Sequence, residues 1–334
     1  MLEWRQEHDL DYLIGGSVMK QKSNTMLLKT RSVVGDFFTC KPNNVALIPN
    51  FTIGLNFLVE GLSKKEKILL IENDYPSLNR PFESRFFGIE YISISKNFEE
   101  HIYETIKIKG ITVLAISIVQ WLNGLKIDLS FIKKLKTDFK DLLIICDGTQ
   151  FLGTTNFNFK ESGIDIIGAS AYKWLLSGYG NGFMLIKDLA KERFSMMTSG
   201  YGSGRNTKET AKERTFCKHL EPGHLDSLNF GSLQFSLEFL NKIGVEKIEN
   251  QNNQLSLKAK KAFTKLGVLD DIVMNRNLQH STIFNIKADE KVFNQLTEND
   301  IICVQRAGGI RLSFHFYNTA EEVDKIIEIL SSSI

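Results

Sequence analysis

The run Ile111–Val119 (ITVLAISIV) is apolar at nearly every position. A strand with one wet face alternates, so an uninterrupted run reads as a strand covered on both sides. Shorter runs of the same kind recur at Val45–Pro49, Lys67–Ile71, Leu142–Cys146 (LLIIC), Ile164–Ala169 and Phe183–Ile186. Ile89–Ser95 alternates as a half-exposed strand does. Between these runs the apolar spacing becomes helical, over Thr52–Leu62, over Pro76–Phe86 with Pro in the first turn, and over Ser130–Phe139 with Ser130 as the N-cap. Strands alternating with helices imply an α/β fold with a mostly parallel central sheet clothed on both faces.

After about residue 230 the texture changes. Ser232–Ile243 and Val245–Phe263 read as helices, Ser281–Ile286 and Ile310–Phe316 as strands, and Ala320–Leu330 as a closing amphipathic helix. The expectation is a large domain over 13–230 and a smaller α+β domain over 231–334, joined by the N-terminal segment 1–12. A chain of 334 residues is long enough for such a pair. Neither an internal repeat nor a Pro/Ser/Gly linker divides it.

Composition narrows the function classes. Forty-one basic residues stand against 39 acidic ones, so charge gives no case for a nucleic-acid partner. Cys40, Cys146, Cys217 and Cys303 lie far apart with no CxxC pair, which favours a reducing cytoplasm over a disulfide framework and suggests no metal site. The N-terminus is charged from its third residue, unlike a signal peptide, and no apolar run approaches the length of a membrane span.

Ligands of open α/β sheets bind beyond the carboxyl ends of the strands, so the residues following each strand are the candidates. Asp147-Gly148-Thr149-Gln150 follows LLIIC. A carboxylate there is costly unless it meets a cation; it is either a turn or N-cap Asp, or it is aimed at a cationic ring nitrogen. Ser170-Ala171-Tyr172-Lys173-Trp174-Leu175 follows the next strand and precedes the glycine-rich Gly178–Gly182. A lysine in a turn between buried strands can be desolvated, its pKa lowered and its amine freed to attack a carbonyl. Neither Gly178–Gly182 nor Gly200–Gly204 forms a phosphate-loop or dinucleotide fingerprint, which argues against a nucleotide-binding protein.

The order strand–Asp–x–x–Gln, Ser–x–aromatic–Lys, glycine-rich turn and strand resembles the class V aminotransferase family of fold type I pyridoxal-phosphate enzymes. Cysteine desulfurases, kynureninases and isopenicillin N epimerase-like proteins belong to that family, and the resemblance extends over about residues 30–330. It implies pyridoxal 5'-phosphate as cofactor, with Lys173 as the Schiff-base lysine. Asp147 pairs with the pyridinium nitrogen, Gln150 reaches the ring's phenolic oxygen and Ser170 holds phosphate. Tyr172 stands where several relatives carry His and contacts the cofactor if its hydroxyl reaches. Asn50–Asn56 resembles the family's phosphate-binding helix N-terminus, with the Thr52 hydroxyl and the N–H groups of Phe51 and Ile53 as donors; a plain Thr52 N-cap has the same local sequence. Tyr75 takes the place of the residue that stacks on the pyridine face. Ile118 occupies the column of a cofactor-contacting Asn, and Gln120 substitutes for it. Glu221–Asp226 resembles the segment that crosses the subunit interface, where His224 touches the other subunit's phosphate; this implies a homodimer. Arg311 matches the arginine that grips the substrate's α-carboxylate, with Arg306 as a possible helper.

Two departures bear on the reaction. Desulfurases carry a nucleophilic Cys on a mobile loop shortly before the carboxylate-binding Arg. Here Cys303 lies in the strand-like Ile301–Val304, which suggests a buried thiol. The family's opening motif is also missing before Trp4–Tyr12, so the substrate pocket is expected to be incomplete or differently built. The resemblance therefore implies an enzyme acting on an amino acid or similar amine, with transamination first. Lyase, desulfurase or epimerase chemistry, or a cofactor-binding relative without turnover, are the alternatives.

Overall fold

The computed structural model describes residues 2–3, 6–7, 15–201, 203 and 211–333. The expected opening segment Trp4–Tyr12, and with it most of 1–12, lies outside these residues.

Seven strands form the central sheet: β1 Val45–Ile48, β2 Lys67–Ile71, β3 Gly88–Ile92, β4 Val113–Ser117, β5 Leu143–Asp147, β6 Ile166–Ser170 and β7 Gly182–Ile186. Their spatial order is β1-β7-β6-β5-β4-β2-β3. Every neighbouring pair is parallel except those involving β7, which runs antiparallel to both β1 and β6. The uninterrupted apolar runs have a direct cause. Leu114, Ile116, Ile144 and Cys146 point into one core, while Val113, Ala115, Leu143 and Ile145 point into the core on the opposite face. Successive side chains of a strand alternate faces, so a strand covered twice must be apolar throughout. Burying each such Leu or Ile contributes roughly 1.5–3 kcal/mol. The alternation read at 89–95 marks β3 as the sheet's edge, where Glu90 and Tyr91 are exposed.

The smaller sheet has the order β8-β10-β9, from β8 Ile283–Ile286, β9 Val304–Arg306 and β10 Gly309–Ser313, all antiparallel. It packs with the helices Val245–Lys265 and Ala320–Ser333 around a third core that includes Phe263, Phe284 and Leu312. Residue 230, the expected domain boundary, falls inside the helix Ser227–Ile243. That helix packs on the helix Gly16–Phe38, and its Leu233, Leu237 and Leu240 join the large core. We propose that the division runs along Val245–Lys265 instead, because Ile248 belongs to the large core and Leu255 to the small one.

Three local expectations are corrected. Ser130 is not the N-cap of its helix: Leu129–Asp138 is capped by Asp128, which accepts from Ser130 N at 2.8 Å. Thr52 is not a cap either, since Asn50 caps Phe51–Glu60 by accepting from Ile53 N at 3.0 Å. Cys303 precedes a strand instead of lying within one, and it is half-buried. Among the described residues no helix is long and apolar enough to cross a membrane.

Candidate active site

The five parallel strands and β1 end on one rim of the sheet, and the residues that follow β1, β2, β4, β5 and β6 meet there. The turn after β2 carries Asn73 at φ 59, which swings its carbonyl toward the turn after β4. That carbonyl accepts from Gln120 Nε2 and from Trp121 Nε1, both at 3.1 Å. Gln120 also takes the Leu122 N–H on Oε1, so both ends of its amide hold the turn. Gly124 closes this turn with φ +75, and an added Cβ would lie 1.9 Å from the Ile283 carbonyl of the small sheet. Only glycine allows the two units to approach this closely.

Asp74, beside Tyr75 in the turn after β2, carries no motif signal in the sequence. Its buried carboxylate accepts from Tyr75 N at 2.7 Å and Ser117 N at 2.9 Å, tying the ends of β2 and β4 together. Burial pushes its carboxyl upward, against these hydrogen bonds. Tyr75 meets Trp121 edge-on at 5.6 Å between ring centres.

Asp147 ends β5 with 5% exposure and accepts from Thr149 N at 2.8 Å. Burial lifts its carboxyl to about 6; the Thr149 hydrogen bonds and the Lys173 charge oppose this, and Asp74 adds to it. Lys173 follows β6 in a loop closed by Ala171 N to Asn181 O at 3.1 Å. Burial lowers its amine to about 8, with Asp147 opposing and Arg311 reinforcing the shift. Its Nζ lies 5.7 Å from the centre of the Tyr75 ring and 5.6 Å from that of Tyr172. Tyr172 stacks on the exposed Tyr179 at 4.6 Å. The arrangement thus holds a partly neutral amine beside a buried carboxylate.

At the end of β1, Phe51 N donates to Ser170 Oγ at 2.9 Å, and Thr52 Oγ1 donates to Ser77 Oγ at 2.9 Å. Because Ser170 accepts with its oxygen, its hydroxyl proton remains able to donate to an anion at this helix N-terminus. Ile53 N is engaged by its own cap.

A cavity of about 350 Å³ opens beside Lys173 and is lined also by Gln150, Trp174, Arg311 and His315. Arg311 reaches it from β10 and donates from Nη1 to the Trp121 carbonyl at 2.9 Å. Gln150 Oε1 accepts from Trp174 Nε1 at 2.9 Å. Trp121, Trp174 and His315 are further residues that the sequence reading did not single out. Trp174, the neighbour of Lys173, was the one with a visible signal. His224 lies apart from the cavity lining, exposed and stacked on Tyr201 at 5.2 Å. The residues fit pyridoxal phosphate: a buried carboxylate with no ion-pair partner among the described residues, a desolvated lysine, and hydroxyl donors at a helix N-terminus.

Residues 15–326 match the family described as Aminotransferase class-V. The chain is 22% identical over 297 residues to YcbU of Bacillus subtilis, an uncharacterised aminotransferase, covering 87% of this chain and 80% of that one. It is 19% identical to a probable cysteine desulfurase of Methanothermobacter thermautotrophicus, over 99% and 89% of the two chains. Among solved structures, the apo cysteine desulfurase of Thermococcus onnurineus superposes with a TM-score of 0.80 at 18% identity, over 99% of this chain and 91% of that one. The cystine C-S lyase C-DES, bound to its product cysteine persulfide, does so with 0.84 at 17%, over 99% and 93%. The strand-end residues and the match over 15–326 lead to one statement: the chain belongs to the class V aminotransferase family of pyridoxal-phosphate-dependent enzymes.

Proposed function

We propose that this enzyme acts on the amino group of an α-amino acid, with Lys173 as the residue that carries the cofactor covalently. The observation that carries the reading is the pairing of a lysine lowered to about 8 with a buried carboxyl raised to about 6 beside one cavity. When bound, pyridoxal phosphate supplies the electron sink for the charge left on the substrate's α-carbon. Asp147 keeps a proton on the ring nitrogen, since a buried carboxylate favours the nearest cation. Ser170 and Thr52 would hold the phosphate end, whereas the Phe51 and Ile53 N–H groups are committed to Ser170 Oγ and to the Asn50 cap. Tyr75 and Tyr172, the rings beside Lys173, would wall the cofactor's ring, and Gln150 would donate to its phenolic oxygen. Gln120 acts through the turn it holds. The Lys173 amine would also serve as the base and acid that moves the proton at the substrate's α-carbon. Borohydride treatment of the cofactor-loaded protein, followed by peptide mass analysis, tests this. The reduced cofactor is expected on Lys173, and an unlabelled Lys173 would overturn the assignment.

Transamination is favoured over cysteine-relayed desulfuration. Cys303 is half-buried with its thiol pushed upward by burial, and Arg306 pairs with Gly309 across a two-residue turn. A hairpin this tight offers no mobile loop for a sulfur-carrying thiolate. Amino-acid panels scored for keto-acid against sulfide release decide between the two.

Arg311 fixes the substrate carboxylate in this reading. Its Trp121 bond holds the guanidinium in place while other donors of the fork face the cavity. Arg311→Ala is expected to raise KM tenfold or more, since a hydrogen bond to a charged group is worth about 1.5–3 kcal/mol. The cofactor's dissociation constant should hardly move. An unchanged KM would place the carboxylate elsewhere.

The same reading makes the protein a cytoplasmic homodimer. His224 presents an exposed ring, backed by Tyr201, to a second copy. Light scattering is expected to give twice the 38.0 kDa chain mass. A monomer that binds the cofactor as tightly as the wild-type assembly would refute the role of His224.

A further inference from the structure

Gln150 has an ambivalent side chain: one end of its amide accepts and the other donates, and the two have nearly the same shape. An indole N–H can only donate. Trp174 Nε1 lies 2.9 Å from Gln150 Oε1. If the amide turned over, two donors would face each other in a buried place, where Trp174 is only 5% exposed. The indole therefore forces the Gln150 amide nitrogen, a donor, toward the rest of its surroundings. Gln150, Lys173 and Trp174 line the same cavity.

Trp174 is itself held from the small domain. His315, in the segment after β10, stacks on the indole at 4.9 Å and 26°, and Tyr317 stacks on His315 at 4.5 Å and 10°. The His315 ring is fixed by its own turn. Nδ1 accepts from Phe316 N at 3.0 Å, and His315 N donates to Asn318 Oδ1 at 2.8 Å. Burial holds the imidazole near 4, with the Trp174 carbonyl opposing, so the stack is uncharged at neutral pH.

We propose that Trp174, braced by His315, is a positioning residue that makes Gln150 a hydrogen-bond donor to an anionic oxygen on the ring of the bound cofactor. This rests on the proposed function, because the acceptor is the cofactor's phenolic oxygen. A donor there stabilises the deprotonated oxygen, which favours loss of the proton shared with the lysine-linked nitrogen. Removing the indole N–H while keeping an aromatic ring against His315 frees the amide to turn its oxygen inward.

The test uses the cofactor-loaded protein and three variants: Trp174→Phe, Gln150→Leu and the double variant. The readout is the pH midpoint of the cofactor's visible absorbance band, with circular dichroism to show that each variant is folded. Asp147, Arg311, Tyr75 and Tyr172 also bear on Lys173, and all are kept. Trp174→Phe is expected to raise the midpoint by about one pH unit, the scale on which one hydrogen bond to a charged group is felt. Gln150→Leu should raise it by at least as much, and the double variant no further than Gln150→Leu alone. A midpoint unchanged in Trp174→Phe, or shifts that simply add in the double variant, would overturn the positioning role. Failure of the wild type to take up pyridoxal phosphate would instead strike the proposed function.

Discussion

Lys173→Ala is expected to leave the fold intact, abolish covalent retention of pyridoxal phosphate and lower turnover by about 10²–10⁴-fold, the range that one positioned acid–base group supplies. The fold should survive because Lys173 is only half-buried and its amine lies over the Tyr75 and Tyr172 rings. The loop it sits in is closed by other residues: Ser177 Oγ donates to Asn181 Oδ1 at 2.6 Å, and Ser236 holds the Leu175 carbonyl. What is lost is the amine itself. An ordinary lysine is almost fully protonated at neutral pH, whereas one lowered to about 8 has an appreciable neutral fraction. The site thus spends burial on making a nucleophile, and alanine cannot replace it. Three measurements together decide the matter: far-ultraviolet circular dichroism, mass analysis after borohydride, and turnover with a panel of amino acids. A variant that still incorporates one reduced cofactor per chain would move the covalent site to another lysine.

Much of this site is legible in the sequence because parallel sheets place chemistry by rule. A strand such as Leu143–Asp147 must be apolar to its end, so a charge at that end stands out. Asp147 and Lys173 are both visible in this way, one after β5 and the other after β6. What the sequence does not carry is side-chain direction. Gln120 and Gln150 look equally suited to a cofactor. The Asn73 carbonyl and the Leu122 N–H commit the first to its turn, and the Trp174 indole orients the second. Those partners come from other strands, so no local pattern announces them. The stack of His315 on Trp174 joins a residue after the small sheet's β10 to one after the central sheet's β6 and follows no periodicity. Caps fail for a simpler reason. Asp128 and Ser130 are both good capping residues, and the choice depends on where the first turn begins, a matter of two residues. The helix Gly16–Phe38 gives no sequence signal over its first turns because its fully buried residues, such as Val34 and Phe38, gather at its far end.

Asp147→Asn should act in opposite directions on stability and on function. The carboxyl titrates at about 6 in the folded chain against an ordinary 3.8. Between those values the folded state keeps a proton that the unfolded state has released, so stability falls as pH rises from about 4 to 6. Above that window the deficit is constant, on the order of 3 kcal/mol for about two pH units. Asparagine has no such titration. Without cofactor, the variant is therefore expected to be the more stable protein at pH 7, with the difference vanishing near pH 4. Pyridoxal phosphate should reverse the order, because only the carboxylate gains from a protonated ring nitrogen. Turnover should fall on the order of 10²-fold, the loss seen when one preorganised electrostatic partner of a developing charge is removed. Urea unfolding at pH 4 and pH 7, with and without cofactor, separates this from the bland alternative. If Asp147 merely held the Thr149 N–H in its turn, asparagine could still accept that bond through its amide oxygen. Cofactor would then stabilise both proteins equally, and the turnover of the variant would match that of the wild type.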